Sequence, residues 1–161
     1  MRWLSIVAIV AFVIDQASKY AVIHGMELAR VRQIDVLPPV LNFRYGENRG
    51  INFGLFEGGS EASRWFLIAL ALVICAAVLI WVRRTVMGVP AQLAAGLLIG
   101  GALANVLDRV LYGFVLDFLN TSCCGINNPF VFNLADVFIF AGAIGLVFLA
   151  PDDAKAGKKG K

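Results

Sequence analysis

The sequence predicts an all-α integral membrane protein. It reads as a bundle of four transmembrane helices with both termini in the cytoplasm and short strands in an outer segment. Three observations lead there. Of the 161 residues, 60% are apolar and 16% charged, and the mean hydropathy is +0.80. Soluble domains run at about 45–50% apolar and about 25% charged, and one small core cannot hide the excess. Second, the apolar residues fall into four stretches, each near the roughly 20 residues that cross a bilayer core. Third, Arg2, Arg83, Arg84 and the lysines at 155, 158, 159 and 161 all fall on one side of such a chain, and short basic flanks mark the cytoplasmic side.

The first span is predicted over residues 3–23. It carries Asp15 and Lys19 and lacks a small-x-small cleavage site, so it reads as a retained span rather than a secretory leader. Residues 24–64 then lie outside, with their arginines matched by acidic residues. Within this loop, residues 39–59 mix β-branched and aromatic residues with Pro and Gly, as short strands with turns do. Phe43, Tyr45, Phe53 and Phe56 are expected at the membrane interface. The second span covers residues 65–82, the third 91–111 and the fourth 132–150. Residues 1–150 make one membrane domain, and residues 151–161 a disordered basic tail with weak attraction to anionic lipid heads.

The composition excludes other classes. A net charge of +3 is too scattered for nucleic-acid binding. Three cysteines, with Cys123 and Cys124 adjacent, form no disulfide framework, and a single histidine, His24, leaves no metal cluster and no Ser-His triad. No metal or cofactor is expected.

Ionisable residues inside spans are costly and therefore informative. Asp15 and Lys19 stand i, i+4 on one helical face. They read either as a snorkelling pair at the outer helix end or as substrate contacts. In span three, Asn105 and Asp108 share a face, and Arg109 is expected to orient its neighbours. Gly100 and Gly101 before them read as helix packing rather than chemistry. Asp117 follows span three, and Asp136 begins span four with Asn133 one turn earlier. Two carboxylates held close in a dry setting share a proton, so one acts as base on water while the other polarises a carbonyl. A proton or ion path through Asp15, Asp108, Asp117 and Asp136 is the rival reading.

Five blocks in order resemble the lipoprotein signal peptidases (signal peptidase II). They are DQASK (15–19), NRGINFG (48–54), GGALANVLDR (100–109), VLDF (115–118) and FNLADV (132–137), and with the layout they cover the chain apart from its tail. The resemblance implies an aspartic endopeptidase of the bacterial inner membrane, with its site toward the extracytoplasmic face. It implies cleavage of diacylglyceryl-modified prolipoproteins before the lipid-bearing cysteine, by a monomer without metal or cofactor. By motif, Asp117 and Asp136 are the catalytic pair. Asp15, Lys19, Asn48, Gly50, Asn105, Asp108, Arg109, Asn133 and Ala135 fall on site-shaping or substrate-binding positions, and residues 39–59 correspond to a small β-cradle. Ala104, Asn52 and Val137 depart from the usual residues, and the adjacent cysteines between the aspartates are uncommon. Those departures leave a specialised paralogue or a non-catalytic binder of lipidated proteins as alternatives.

Overall fold

The computed structural model describes residues 1–38, 40–50, 61–122 and 128–150. Helix α1 (Arg2–Lys19) continues through a π-helical turn (Tyr20–Gly25) into a short helix α2 (Leu28–Val31). Strands β1 (Gln33–Leu37) and β2 (Leu41–Asn48) follow, then helices α3 (Glu61–Arg84) and α4 (Val89–Tyr112), strand β3 (Val115–Thr121) and helix α5 (Leu134–Leu149).

Helix α4 is the axis, packing against α1, α3 and α5. Its small residues permit this from two sides. A Cβ on Gly100 would run into the Ala8 carbonyl of α1, and one on Gly101 would stand 2.6 Å from the Ala135 carbonyl of α5. The glycine pair therefore serves close packing, as its sequence suggests. Pro90 opens α4 where no N–H is needed, and Gly113 closes it at φ +87°, donating to the Arg109 carbonyl at 3.1 Å.

Burial and hydropathy run in opposite directions along this bundle. Of the three longest helices, α3 has the highest mean hydropathy, 2.9, yet only 17% of that stretch is buried; α4 has 1.5 and 61%. In water the most apolar helix would be the most buried. Here it faces outward, as it does when lipid is the solvent. Three helices are long and apolar enough to cross a membrane, α1 with its π-turn, α3 and α4. Helix α5 is apolar but has 16 residues, about 24 Å at ~1.5 Å per residue. The predicted spans agree with these helices to within a few residues.

At one end of the bundle lies an antiparallel sheet in the order β1-β2-β3. Gly46 of β2 stands opposite Asp117 of β3, and Asn48 opposite Val115, after an irregularity between Phe43 and Gly46. Beneath the sheet, Val22, Ile23, Leu28, Leu116 and Phe118 form a core separate from that between the helices.

Two expectations change. The β-rich segment begins at Gln33 rather than at residue 39, and the sheet takes its third strand from the region after span three, where the sequence reading had no strand. Phe43, half-buried, packs edge-on against Phe118, 5.7 Å between centroids, at the margin of the sheet's core. Asn52, Phe53, Phe56, the paired cysteines and the tail lie outside the described residues.

Candidate active site

The sheet end of the bundle gathers four aspartates. Asp15 and Asp108 are fully buried, Asp117 is 3% exposed, and Asp136 is partly buried. They cluster at one end and are not strung along the bundle, which removes the geometric basis of a transmembrane ion path.

Lys19 stands between Asp15 and Asp108, with its Nζ 2.7 Å from an oxygen of each. The lysine side chain is 3% exposed, so the snorkelling reading of the Asp15–Lys19 pair does not hold. Both carboxylates are saturated from other elements. Asp15 accepts from the Ala135 N–H at 2.8 Å, and Asp108 from the Leu116 N–H at 3.1 Å and from Gln16 Nε2 at 2.9 Å. This inner cluster ties α1 to α4, to β3 and to the start of α5. Ala135, fully buried, offers its N–H to Asp15, and its carbonyl lies against Gly101, where no side chain fits.

Asp117 and Asp136 are held differently, by amides. Asn133 caps α5. Its Oδ1 accepts from the Asp136 N–H at 2.9 Å, while Asp136 Oδ2 accepts from the Asn133 N–H at 3.3 Å, a reciprocal capping box. The Asn133 amide nitrogen then donates to Asp117 at 2.6 Å and to Asn105 Oδ1 at 3.2 Å. Asn105 Nδ2 donates to Asp136 at 2.9 Å. Two asparagines thus link the strand aspartate to the helix aspartate. Among the described residues neither Asp117 nor Asp136 has an ion-pair partner. Burial, and then the neighbouring Asp136, push the Asp117 carboxyl up to about 7, against hydrogen bonds from Asn133 and Asn48 that favour its ionised form.

Two spaces lie near the pair, one reaching Asp117 and the other reaching Asn105, the partner of Asp136. A cavity of about 310 Å³ lies at the sheet, lined by Gly46, Glu47, Asn48, Asp117 and residues 129–131. A groove of about 410 Å³ runs between α3, α4 and α5, walled by Ala71, Ile74, Leu98, Ala102, Ile139 and Ala143, with Asn105 and Arg109 also lining it. Arg109 donates to the Asn105 carbonyl at 3.5 Å and lies within electrostatic reach of Asp108, Asp117 and Asp136. Asn48 accepts from the Gly50 N–H at 3.1 Å, and Gly50 has φ +93°, a conformation that favours glycine. Among the described residues no group of three or more His, Cys, Asp or Glu side chains is arranged to hold a metal ion.

The model of the Signal peptidase (SPase) II family matches residues 7–150. The chain belongs to that family. It is therefore a peptidase of the aspartic type and an integral membrane protein. Curated relatives agree. A lipoprotein signal peptidase of Methylobacterium radiotolerans is 37% identical, over 91% of this chain and 85% of that protein. Another, of Alteromonas mediterranea, is 39% identical over 91% of this chain and 79% of that protein. Among solved structures, a bacterial membrane enzyme obtained by the in meso method superposes with a TM-score of 0.74 at 30% identity, covering 97% of this chain and 91% of that one. A second, described in the same way, gives a TM-score of 0.77 at 29% identity, covering 92% of each.

All eleven residues singled out in the sequence of this peptidase fall at the sheet end, in the elements just described. Two contributors were passed over. Gln16 lies between Asp15 and Ala17 in a block already noted, and a second amide inside a span was its signal. Gly46 interrupts an otherwise β-prone run and stands opposite Asp117, where a Cβ would meet Val131 at 3.3 Å; a glycine within a strand marks such close approach. Of the departures from the family pattern, Ala104 is fully buried and Val137 is 44% exposed.

Proposed function

We propose that this signal peptidase II removes signal peptides from diacylglyceryl-modified prolipoproteins, cleaving before the lipidated cysteine with Asp117 and Asp136. The observation that carries the reading is the placement of both carboxyls on one asparagine-bridged frame beside an intramembrane groove. The protein works as a monomer in the bacterial inner membrane. Its four helices cross the bilayer, both termini are cytoplasmic, and the sheet faces outward. The signal helix lies in the α3–α4–α5 groove, and the peptide crosses the sheet cavity at Asp117 in extended form.

The two aspartates differ in setting. Asp136 is partly exposed and sits in the first turn of α5, where the helix dipole favours a negative charge. Asp117 sits on a buried strand and holds its proton near neutral pH. Asp136 is therefore the base and Asp117 the acid. Asp136 takes a proton from water, and the hydroxide oxygen bonds to the scissile carbonyl carbon. Asp117 delivers its proton to the carbonyl oxygen, giving a neutral tetrahedral diol. Asp136 next passes its proton to the leaving nitrogen, the C–N bond breaks, and Asp117 recovers a proton from the diol. Arg109, beside Asn105, offsets the negative charge of the pair. Residues 39–59, with Asn48 and Gly50, hold the substrate backbone from the sheet side.

The test is a gel-shift cleavage assay on a purified diacylglyceryl-prolipoprotein. Wild type is expected to cleave before the lipidated cysteine, while Asp117→Asn and Asp136→Asn fold but lose at least about 10³-fold in rate. Wild-type activity in Asp136→Asn overturns the pair. Tight binding of substrate by wild type without turnover favours a binder of lipidated proteins instead.

A further inference from the structure

We infer that Lys19 is a positioning residue: by donating to the oxygen of Asn105 it turns that amide donor-first toward Asp136 and holds the aspartate pair in its singly ionised form. This rests on the assignment of Asp117 and Asp136 as the reacting groups.

The argument is one of donor counting. A lysine ammonium has three protons and no lone pair. Here it has three acceptors: Asp15 Oδ2 at 2.7 Å, Asp108 Oδ2 at 2.7 Å and Asn105 Oδ1 at 3.2 Å. Both carboxylates are pinned by backbone N–H groups, so the ammonium has nowhere to turn. The orientation of an asparagine amide is decided by its partners rather than its shape. With Oδ1 facing Lys19, Asn105 must present Nδ2 to Asp136, as it does at 2.9 Å. That same Oδ1 also accepts from Asn133, whose own Oδ1 is taken by the Asp136 N–H, so Asn133 presents its nitrogen to Asp117. Flipping Asn105 would set its NH₂ against an ammonium and its oxygen against a carboxylate. Lys19 thus fixes Asn105 toward Asp136, while the helix cap fixes Asn133 toward Asp117.

Donors favour an ionised carboxylate, and acceptors favour a protonated one. Without the lysine, Asn105 Oδ1 keeps only the Asn133 amide, and Asn105 turns its oxygen more readily to Asp136, a contact that only a protonated carboxyl satisfies. Other charges face the pair as well. Among the described residues these are Arg109 and Asp108 from α4, Asp15 from α1 and Glu47 from β2. A simple charge effect must therefore be separated from amide direction. Removing Lys19 together with Asp108 does so, because one positive and one negative charge leave together.

The experiment measures kcat/KM against pH for the full-length enzyme on a diacylglyceryl-prolipoprotein. In Lys19→Met/Asp108→Asn the acid limb is expected to move up by about one pH unit, so that activity falls about tenfold on that limb and returns at higher pH. Asn105→Asp keeps the oxygen toward Lys19 but replaces the donor to Asp136 with a second carboxylate. There the limb is expected to move up further, by about two pH units. An acid limb that stays in place in Asn105→Asp, or in a folded double variant, overturns the inference, whatever the loss of rate. If the double variant does not fold, Asn105→Leu, which removes the donor to Asp136 without adding a charge, decides alone: an acid limb that stays in place there overturns the inference. Asp136→Asn separates the two readings. If it cleaves like wild type, the aspartate pair itself is wrong. If it is inactive while the limbs stay put, only the role of Lys19 falls.

Discussion

Two pairs of aspartates lie at the same end of this bundle, and they are built on opposite principles. Asp15 and Asp108 are fully buried, yet each touches the Lys19 ammonium and accepts a backbone N–H. Asp117 and Asp136 are bridged by neutral amides, with no ion-pair partner among the described residues. The first pair shares one ammonium between its two carboxylates, which offsets half of its charge. The second cannot ionise twice without like charges meeting, so one proton stays to be used. Burial alone therefore does not distinguish a structural carboxylate from a reactive one. The presence of a cation between the partners does.

The largest effect expected from this contrast is on folding. Lys19→Met leaves two buried carboxylates without their counter-ion, a change of the kind that costs about 3–5 kcal/mol. Asp136→Asn removes no ion pair and loses one acceptor of the two that Asp136 supplies, a change of about 1–2 kcal/mol. Unfolding in detergent micelles measures both. In a double-mutant cycle Lys19 and Asp108 should couple by about 2 kcal/mol or more, because the second substitution removes a charge that the first left stranded. Equal stability losses for Lys19→Met and Asp136→Asn would erase the distinction between the pairs.

Next in size is a stability gain from disarming the reactive pair. The Asp117 carboxyl is pushed up from 3.8 to about 7 by burial and by Asp136. A carboxyl raised on folding favours the native state below about pH 4, and that contribution is lost as pH rises through about 7. Asp117→Asn escapes the loss. Its stability relative to wild type should grow between pH 5 and pH 8, by on the order of 2–3 kcal/mol, while cleavage is abolished. A variant no more stable at pH 8 than at pH 5 would show that Asp117 ionises without strain.

The contrast also marks how far the sequence could be read. The long helices were legible because their apolar stretches exceed what a small core can bury. The third strand was not. Val115–Thr121 is a short apolar run just after a helix, and periodicity does not separate a buried strand from a helical extension. Its partner, β2, lies far upstream. Asp15 and Lys19 were legible as a pair, because i, i+4 spacing sets them on one face. Their burial was not, because it depends on Asp108, which reaches the lysine only through the packing of α4 on α1 at Gly96 and Gly100. Asn133 was legible as a neighbour of Asp136. Its bond to Asp117 depends on β3, and so on the element the sequence concealed.

The smallest expected effect tests whether the inner pair is as independent of chemistry as its saturation implies. Gln16 Nε2 donates to Asp108 Oδ1 at 2.9 Å and to the Ala104 carbonyl at 3.3 Å, on the side away from the asparagine bridge. Gln16→Met keeps the length of the side chain and removes the donor. Asp108 retains Lys19 and the Leu116 N–H on its other oxygen, so no charge is stranded. The loss should be about 1.5 kcal/mol of stability, the low end for one hydrogen bond to a charged group, with kcat/KM within about twofold of wild type. The pH profile should keep its shape, since neither amide changes direction. A shifted acid limb in Gln16→Met would mean that the inner pair communicates with the outer one through Asp108 itself, and the division between a structural and a reactive pair would have to be redrawn.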